Sequence, residues 1–274
     1  MVQLLVRPEP NELTLRVISA VVILPLAIAA IWFGGMAFSV MVLLIAVAMG
    51  WELSRLCQAA PGVAILVVAI FLLTGGLSLL ESYQGAIASA VGGTAIIALL
   101  LQFSRSGAPK ILIMGIAYIS IALLSIVWLR FGGEGGLLLF FWMTAVVVAT
   151  DVGAYFTGRS IGGPKLAPRI SPAKTWSGLI GGAIFAGLAS AVLVGVSGSP
   201  EYARVMAFAG ILAALAQLGD LIESGVKRQV GVKDASNLIP GHGGVLDRLD
   251  GFLTVAPAMA LMTWVAGGSP LEWQ

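Results

Sequence analysis

Nine stretches of this chain are almost continuously apolar: 14–33, 36–53, 62–80, 85–102, 111–129, 136–157, 177–197, 203–223 and 252–268. A helix needs roughly 20 apolar residues to cross a bilayer, so each stretch has about the length of one crossing. Barrel strands would instead alternate apolar and polar residues over about 10 positions, and these stretches do not. Only 10% of the residues are charged, against about 25% in a soluble domain. Such a chain cannot cover a globular surface in water. The expected fold is therefore all-α, a polytopic integral membrane protein of about nine transmembrane helices. The spans at 36–53 and 252–268 are short. The first run, Leu15 to Phe33, has no clear small-x-small cleavage site and reads as a retained helix.

Basic residues set the expected orientation. With the N-terminus in the cytoplasm and strict alternation, 13 of them fall inside: Arg7, Arg16, Arg55, Arg105, Lys110, Arg159, Lys165, Arg169, Lys174, Lys227, Arg228, Lys233 and Arg248. Only Arg130 and Arg204 fall outside, where Glu81, Glu134, Glu201 and Glu272 also lie. The C-terminus is then expected outside, and the two long connections, 158–176 and 224–251, face the cytoplasm. On this reading residues 1–110 form four N-terminal spans, and residues 111–274 form the region that carries both loops. The net charge of +2 argues neither for nor against nucleic acid. Cys57, the single cysteine, excludes an intrachain disulfide and a cysteine metal cage. Gly92, Gly93, Gly178, Gly182 and Gly187 read as packing positions where helices approach closely.

A carboxylate inside a span is costly and marks a functional candidate. Three stand out: Asp151, about one and a half turns from the end of span 136–157, and Asp220 and Glu223 in the last turn of span 203–223. Interfacial pairing with Lys or Arg is the plainer reading of each. The spacing offers more. Asp220, Glu223, Ser224 and Lys227 share one face if the helix continues, and Asp247 and Asp250 flank Arg248. No histidine or cysteine cluster accompanies them. Oxygen-only donors suit a hard cation such as Mg2+, held by one or two carboxylates with phosphates and water.

Bases interleave with these acids. Lys227, Arg228, Lys233 and Arg248 share one loop, and Lys165, Arg169 and Lys174 lie on the other. Lipid anchoring alone favours an unmixed basic cluster, whereas a mixture fits a site that binds both a cation and phosphates. "PGHGG", Pro240 to Gly244, is either a phosphate-binding nest or a plain tight turn. His242, the only histidine, could contact phosphate, move a proton or cap a turn. Ser171-Pro172 reads as the start of the seventh helix, with Lys174 and Thr175 in its first turn. Trp176 then sits at the membrane boundary.

From Ser224 to Asp250 the chain reads SGVKRQVGVKDASNLIPGHGGVLDRLD. This stretch resembles the signature of the phosphatidate cytidylyltransferases, also called CDP-diacylglycerol synthases. Ser224, Lys227, Arg228, Lys233, Asp234, His242, Gly243, Gly244, Asp247, Arg248 and Asp250 all match its fixed positions. "QLGDLIES" and "ATDVGAYFTGRSIGGPKLAPRISPAKTWSG", from Ala149 to Gly178, fit as well. Ala173 and Ser177 depart from the basic and acidic residues common there. The matches cover roughly the C-terminal half, and the N-terminal spans match in hydropathy only.

The resemblance implies transfer of the cytidylyl group of CTP to phosphatidate, giving CDP-diacylglycerol and pyrophosphate, with one or two Mg2+ ions. It implies a bacterial inner-membrane enzyme whose site faces the cytoplasm. Its partners would be CTP, phosphatidate and the bilayer, without nucleic acid, and the chain could form a homodimer. Under it, Asp220 and Asp247 are the leading metal ligands, supported by Asp250 and Asp151. Lys227, Arg228, Lys233 and Arg248 would hold CTP phosphates, with Ser224, Asn237, His242, Gly243 and Gly244 adding substrate contacts. Lys174, Ser171 and Thr175 would line the lipid-phosphate side. A CTP-dependent polyprenol kinase, or less readily a transporter, is the alternative reading.

Overall fold

The computed structural model of the protein describes residues 10–102, 107–132, 135–197, 202–268 and 271. Among them nine α-helices follow in order: α1 (Pro10–Phe33), α2 (Gly35–Leu56), α3 (Pro61–Leu79), α4 (Tyr83–Leu100), α5 (Pro109–Phe131), α6 (Gly136–Ser160), α7 (Trp176–Ser197), α8 (Tyr202–Gln229) and α9 (Leu246–Ala266). Each contains a segment long and apolar enough to cross a membrane. In lipid every backbone N–H must find an internal partner, and a helix meets that demand within a single segment. Pro61 and Pro109 open α3 and α5 at the first turn, where a missing N–H costs nothing. The protein is thus an all-α polytopic membrane protein. Side chains such as Val21, Leu26, Ile65, Met114 and Val192 supply the apolar outer surface.

The most extensive packing is α6 on α7, followed by α7 on α8 and α8 on α9. Glycine permits it: a Cβ on Gly182 would lie 2.9 Å from the Thr150 carbonyl and 2.8 Å from Gln217 Nε2. A second group, α2 to α5, joins the first chiefly where α5 packs on α9. Alternation brings the starts of α1, α5, α7 and α9 to the same end as the finishes of α2, α6 and α8. Contacts across that end include Gly107 N–H to Cys57 O and the Lys227–Asp247 pair. At the other end Arg130 Nε donates to Ile31 O at 3.0 Å. Of the residues in the charge count, Arg7, Arg105, Glu134, Glu201 and Glu272 lie outside the described residues.

Three boundaries differ from the sequence expectation. First, Ser171–Thr175 is not the opening of a helix. It is strand β2, paired antiparallel with β1 (Lys165–Ala167). Thr175 is the better cap: its Oγ1 accepts the Gly178 N–H at 3.1 Å, and the Trp176 N–H closes onto Pro164 O. Helix α7 therefore begins at Trp176. Second, α8 runs on to Gln229, so Asp220 lies about two and a half turns inside it. Third, α9 begins at Leu246 rather than at 252. Asp247, Arg248 and Asp250 are therefore helical, and the connection shrinks to 230–245.

Candidate active site

Helix α8 is the spine of the site. Its continuation past 223 places Asp220, Glu223, Ser224 and Lys227 along one face. Across from them the first two turns of α9 bring Asp247, Arg248 and Asp250. Asp151 comes from α6 and Lys174 from β2. All of these except Ser224 line one cavity of about 720 Å³, together with Tyr155, Arg159, Lys165, Ser171, Thr175 and Asp234. Its wall holds six carboxylates and five bases, so by formal charge it carries no surplus of positive charge for a polyphosphate.

Two lysines serve this wall differently. Lys227 Nζ is clamped between Glu223 Oε2 at 2.5 Å and Asp247 Oδ1 at 2.6 Å. Asp247 Oδ2 in turn accepts the N–H groups of Ala235 at 3.0 Å and Gly244 at 2.8 Å. The Asp247 carboxylate is thereby engaged by the protein itself. It ties the end of α8, the 230–245 connection and the first turn of α9 together. Lys174 Nζ instead reaches Asp220 Oδ2 at 2.7 Å and Gln217 O at 3.2 Å, and this pair is more open to the cavity. Asp220 Oδ1 also accepts the Ser224 hydroxyl at 3.2 Å.

Asp151 has no hydrogen-bond or ion-pair partner among the described residues. The Asp250 carboxylate accepts the neighbouring Gly251 N–H at 2.7 Å. The charges of Asp151, Asp220 and Asp250 repel one another across the cavity, with Lys174 partly offsetting them.

The other expected site residues lie apart from this wall. Arg228 is exposed, with Nε 3.5 Å from Ile170 O. Lys233 and Asn237 are exposed and do not line the cavity. His242 Nδ1 lies 2.8 Å from Ser19 Oγ of α1, so this histidine docks the connection onto the first helix. "PGHGG" forms the tight turn and not a nest open to substrate. The N–H groups of His242 and Gly243 go to Ile239 O, and that of Gly244 to Asp247. Gly241 and Gly243 take φ of 74° and 86°, which residues with a side chain adopt only under strain.

The profile of the Cytidylyltransferase family matches residues 14–266, which takes in all of the cavity. The chain belongs to the cytidylyltransferase family. It is 38% identical over 256 residues to a phosphatidate cytidylyltransferase of Brucella suis, covering 92% of this chain and 93% of that protein. A phosphatidate cytidylyltransferase of Pseudomonas aeruginosa is 36% identical over 277 residues, covering 93% and 98%. One from Bacillus subtilis is 45% identical over a shorter stretch of 123 residues, 44% of this chain and 46% of that one.

For this cytidylyltransferase-family chain the donor chemistry bears on a metal ion. Among the described residues no group of three or more acids, histidines or cysteines converges to grip one unaided. A cation shared with substrate oxygens needs only one or two carboxylates. Asp151 and Asp250 meet that need, because neither is held by a base, and Asp220 can join either of them because its pair with Lys174 is single and more open to water. Asp247 meets it less well, because a cation there would compete with Lys227.

Sequence reasoning missed Glu52. It stands in the apolar span 36–53 and is fully buried, and the rule that singled out Asp151 applies to it equally. Arg159 was read for topology alone, and Lys165 only as one of the bases on the 158–176 loop without a role of its own, although both line the cavity. Only the fold of the 158–176 connection back onto α8 could reveal them.

Proposed function

We propose that this chain transfers the cytidylyl group of CTP to phosphatidate, releasing pyrophosphate and forming CDP-diacylglycerol. The observation that carries the reading is the mixed wall of acids and bases at one end of an apolar bundle. It is supported by 38% identity over 92% of the chain to a protein named phosphatidate cytidylyltransferase. A phosphate oxygen of phosphatidate attacks the α-phosphorus of CTP in line. The bond from that phosphorus to the bridging oxygen breaks, and pyrophosphate leaves with the electron pair. The attacking phosphate is already ionised, so proton removal is a small part of the barrier.

The larger obstacle is repulsion between two anions, which fixed positive groups offset. Arg248 on α9 faces the triphosphate, while Lys174 and Ser171 on β2 face the lipid phosphate. Asp220, with Asp151 or Asp250, would hold Mg2+, which when bound supplies the positive charge that the wall itself lacks. The Lys227–Asp247–Glu223 cluster keeps α8 and α9 in register around these groups. Tyr155, Phe156 and Trp176 are exposed apolar residues beside the cavity, a suitable edge for acyl chains to leave it into the bilayer. Every group in this account comes from a single chain, and a homodimer is compatible with it.

The orientation belongs to the same proposal: N-terminus and site on the cytoplasmic side of a bacterial inner membrane, C-terminus outside. Arg16, Arg55, Lys110 and Arg159 gather at the end that carries the cavity, in keeping with the positive-inside rule.

The test is purified protein in detergent with radiolabelled CTP, phosphatidate and Mg2+. A lipid-soluble cytidine product and stoichiometric pyrophosphate are expected. Release of CDP with a newly phosphorylated lipid would replace this reading with a CTP-dependent kinase. Absence of any lipid product would reject both.

A further inference from the structure

Glu52 is the most deeply placed carboxylate of the described residues. It is 0% exposed, on the last turns of α2, a helix that does not line the cavity. Its Oε1 accepts the Ser236 hydroxyl at 2.5 Å and the Val245 N–H at 2.9 Å, and its Oε2 accepts the Leu246 N–H at 2.8 Å. A helix start leaves its first N–H groups without intrahelical partners. In most helices a side chain just ahead of the helix satisfies them. Here α9 has no such cap of its own, and a carboxylate from a helix nearly two hundred residues earlier does the work. The negative charge also meets the positive end of the α9 dipole. That explains how a carboxylate without a Lys or Arg partner among the described residues can stay buried.

The consequence lies one residue further on. Val245 and Leu246 directly precede Asp247, Arg248 and Asp250. Glu52 therefore holds the segment that aims those three side chains. Gly244 is part of the same device: a Cβ there would lie 2.7 Å from Glu52 Oε1 and 2.9 Å from Oε2. Ser236 links the carboxylate to the 230–245 connection, and its Oγ also accepts the Leu238 N–H at 3.0 Å. Two acids thus divide the free donors at the head of α9. Asp247 takes Gly244 and Glu52 takes Val245 and Leu246.

We infer that Glu52 is a positioning residue for the transfer reaction. It fixes the head of α9 from outside the site and so gives the N-terminal helices a role in catalysis. This inference rests on the reaction proposed above.

The experiment uses full-length protein in detergent and two readouts. One is amide hydrogen exchange of the segment 236–250. The other is steady-state kinetics with varied CTP and Mg2+. Glu52→Gln keeps one acceptor oxygen but turns an NH2 toward the other backbone N–H. Exchange of 236–250 should quicken about tenfold or more, with the far half of α9 unchanged. The value of kcat should fall about 10- to 100-fold, as when a supporting partner of a site residue is lost. KM for CTP should stay within about threefold, because the residue touches no substrate. Glu52→Asp, which keeps the charge on a shorter arm, should recover part of kcat.

Faster exchange with wild-type kcat would make Glu52 merely structural and overturn the inference, as would unchanged exchange. If Glu52→Gln does not fold, Ser236→Ala carries the test. It should move both readouts the same way by less, and wild-type values in both would overturn the inference. A wild-type protein that makes no lipid cytidine product would sink the proposed reaction instead, while exchange would still report whether Glu52 holds the segment.

Discussion

Lys227 and Lys174 line the same cavity and each pairs with carboxylates, yet their removal should have different consequences. The Lys227 side chain is 13% exposed, and its partners Glu223 and Asp247 are 12% and 5% exposed. Lys227→Met strands two buried carboxylates. Breaking a buried pair by removing one partner costs about 3–5 kcal/mol. Asp247 keeps its two backbone N–H donors, so the lower end, about 3 kcal/mol, is expected. For a chain of this size that corresponds to a fall in Tm of about 6–12 °C.

Lys174→Met breaks a pair whose Asp220 side chain is 37% exposed. Water screens such a pair, and about 0.2–1 kcal/mol is expected. Both variants should lose cytidylyl transfer, one through misplaced helices and the other through a missing phosphate contact. Thermal unfolding in detergent, followed by tryptophan fluorescence, separates the two. The double variant Glu223→Gln/Lys227→Met removes the stranded charge and should regain part of the lost Tm, a departure from additivity that marks direct coupling. Equal Tm losses for Lys174→Met and Lys227→Met would refute this division of labour. So would a Lys227→Met protein as stable as wild type.

Two further outcomes follow from the geometry. Asp220→Asn should leave the protein folded but lower CTP-dependent activity by about a hundredfold or more, the scale for losing a fixed electrostatic contact to developing charge; full activity at ordinary Mg2+ would remove Asp220 from the cation site. Cys57 is 0% exposed, and burial pushes its thiol up to about 11. A maleimide should therefore label the native protein slowly and the SDS-unfolded protein promptly, and rapid labelling of the native form would contradict the packing around the end of α2.

The order of the spans was legible in the sequence because lipid imposes a demand that can be counted along the chain. About 20 apolar residues in a row have one solution, and the nine expected stretches correspond one for one to α1 through α9. The acids and bases of the C-terminal half were legible for the same reason: each is conspicuous where charge is rare. Hydropathy fails, however, where a helix leaves the apolar slab and carries charge. That is why the C-terminal end of α8 and the start of α9 were misjudged, and with them the helical placement of Asp247 and Asp250.

The partners of the charged groups belong to the tertiary structure. Spacing puts Lys227 one turn from Glu223, but only the approach of α9 decides that Asp247 closes the clamp and leaves less of Lys227 for a phosphate. In the same way PGHGG could have been a nest for substrate. The fold turns its N–H groups inward, toward Ile239 and Asp247, while Glu52 takes the next two. Glu52 makes the division plain. By itself the sequence determined that a carboxylate stands in an apolar span, which requires a partner. Which partner depends on packing between residues far apart in the chain, and so only the tertiary structure could decide that α2 holds the head of α9.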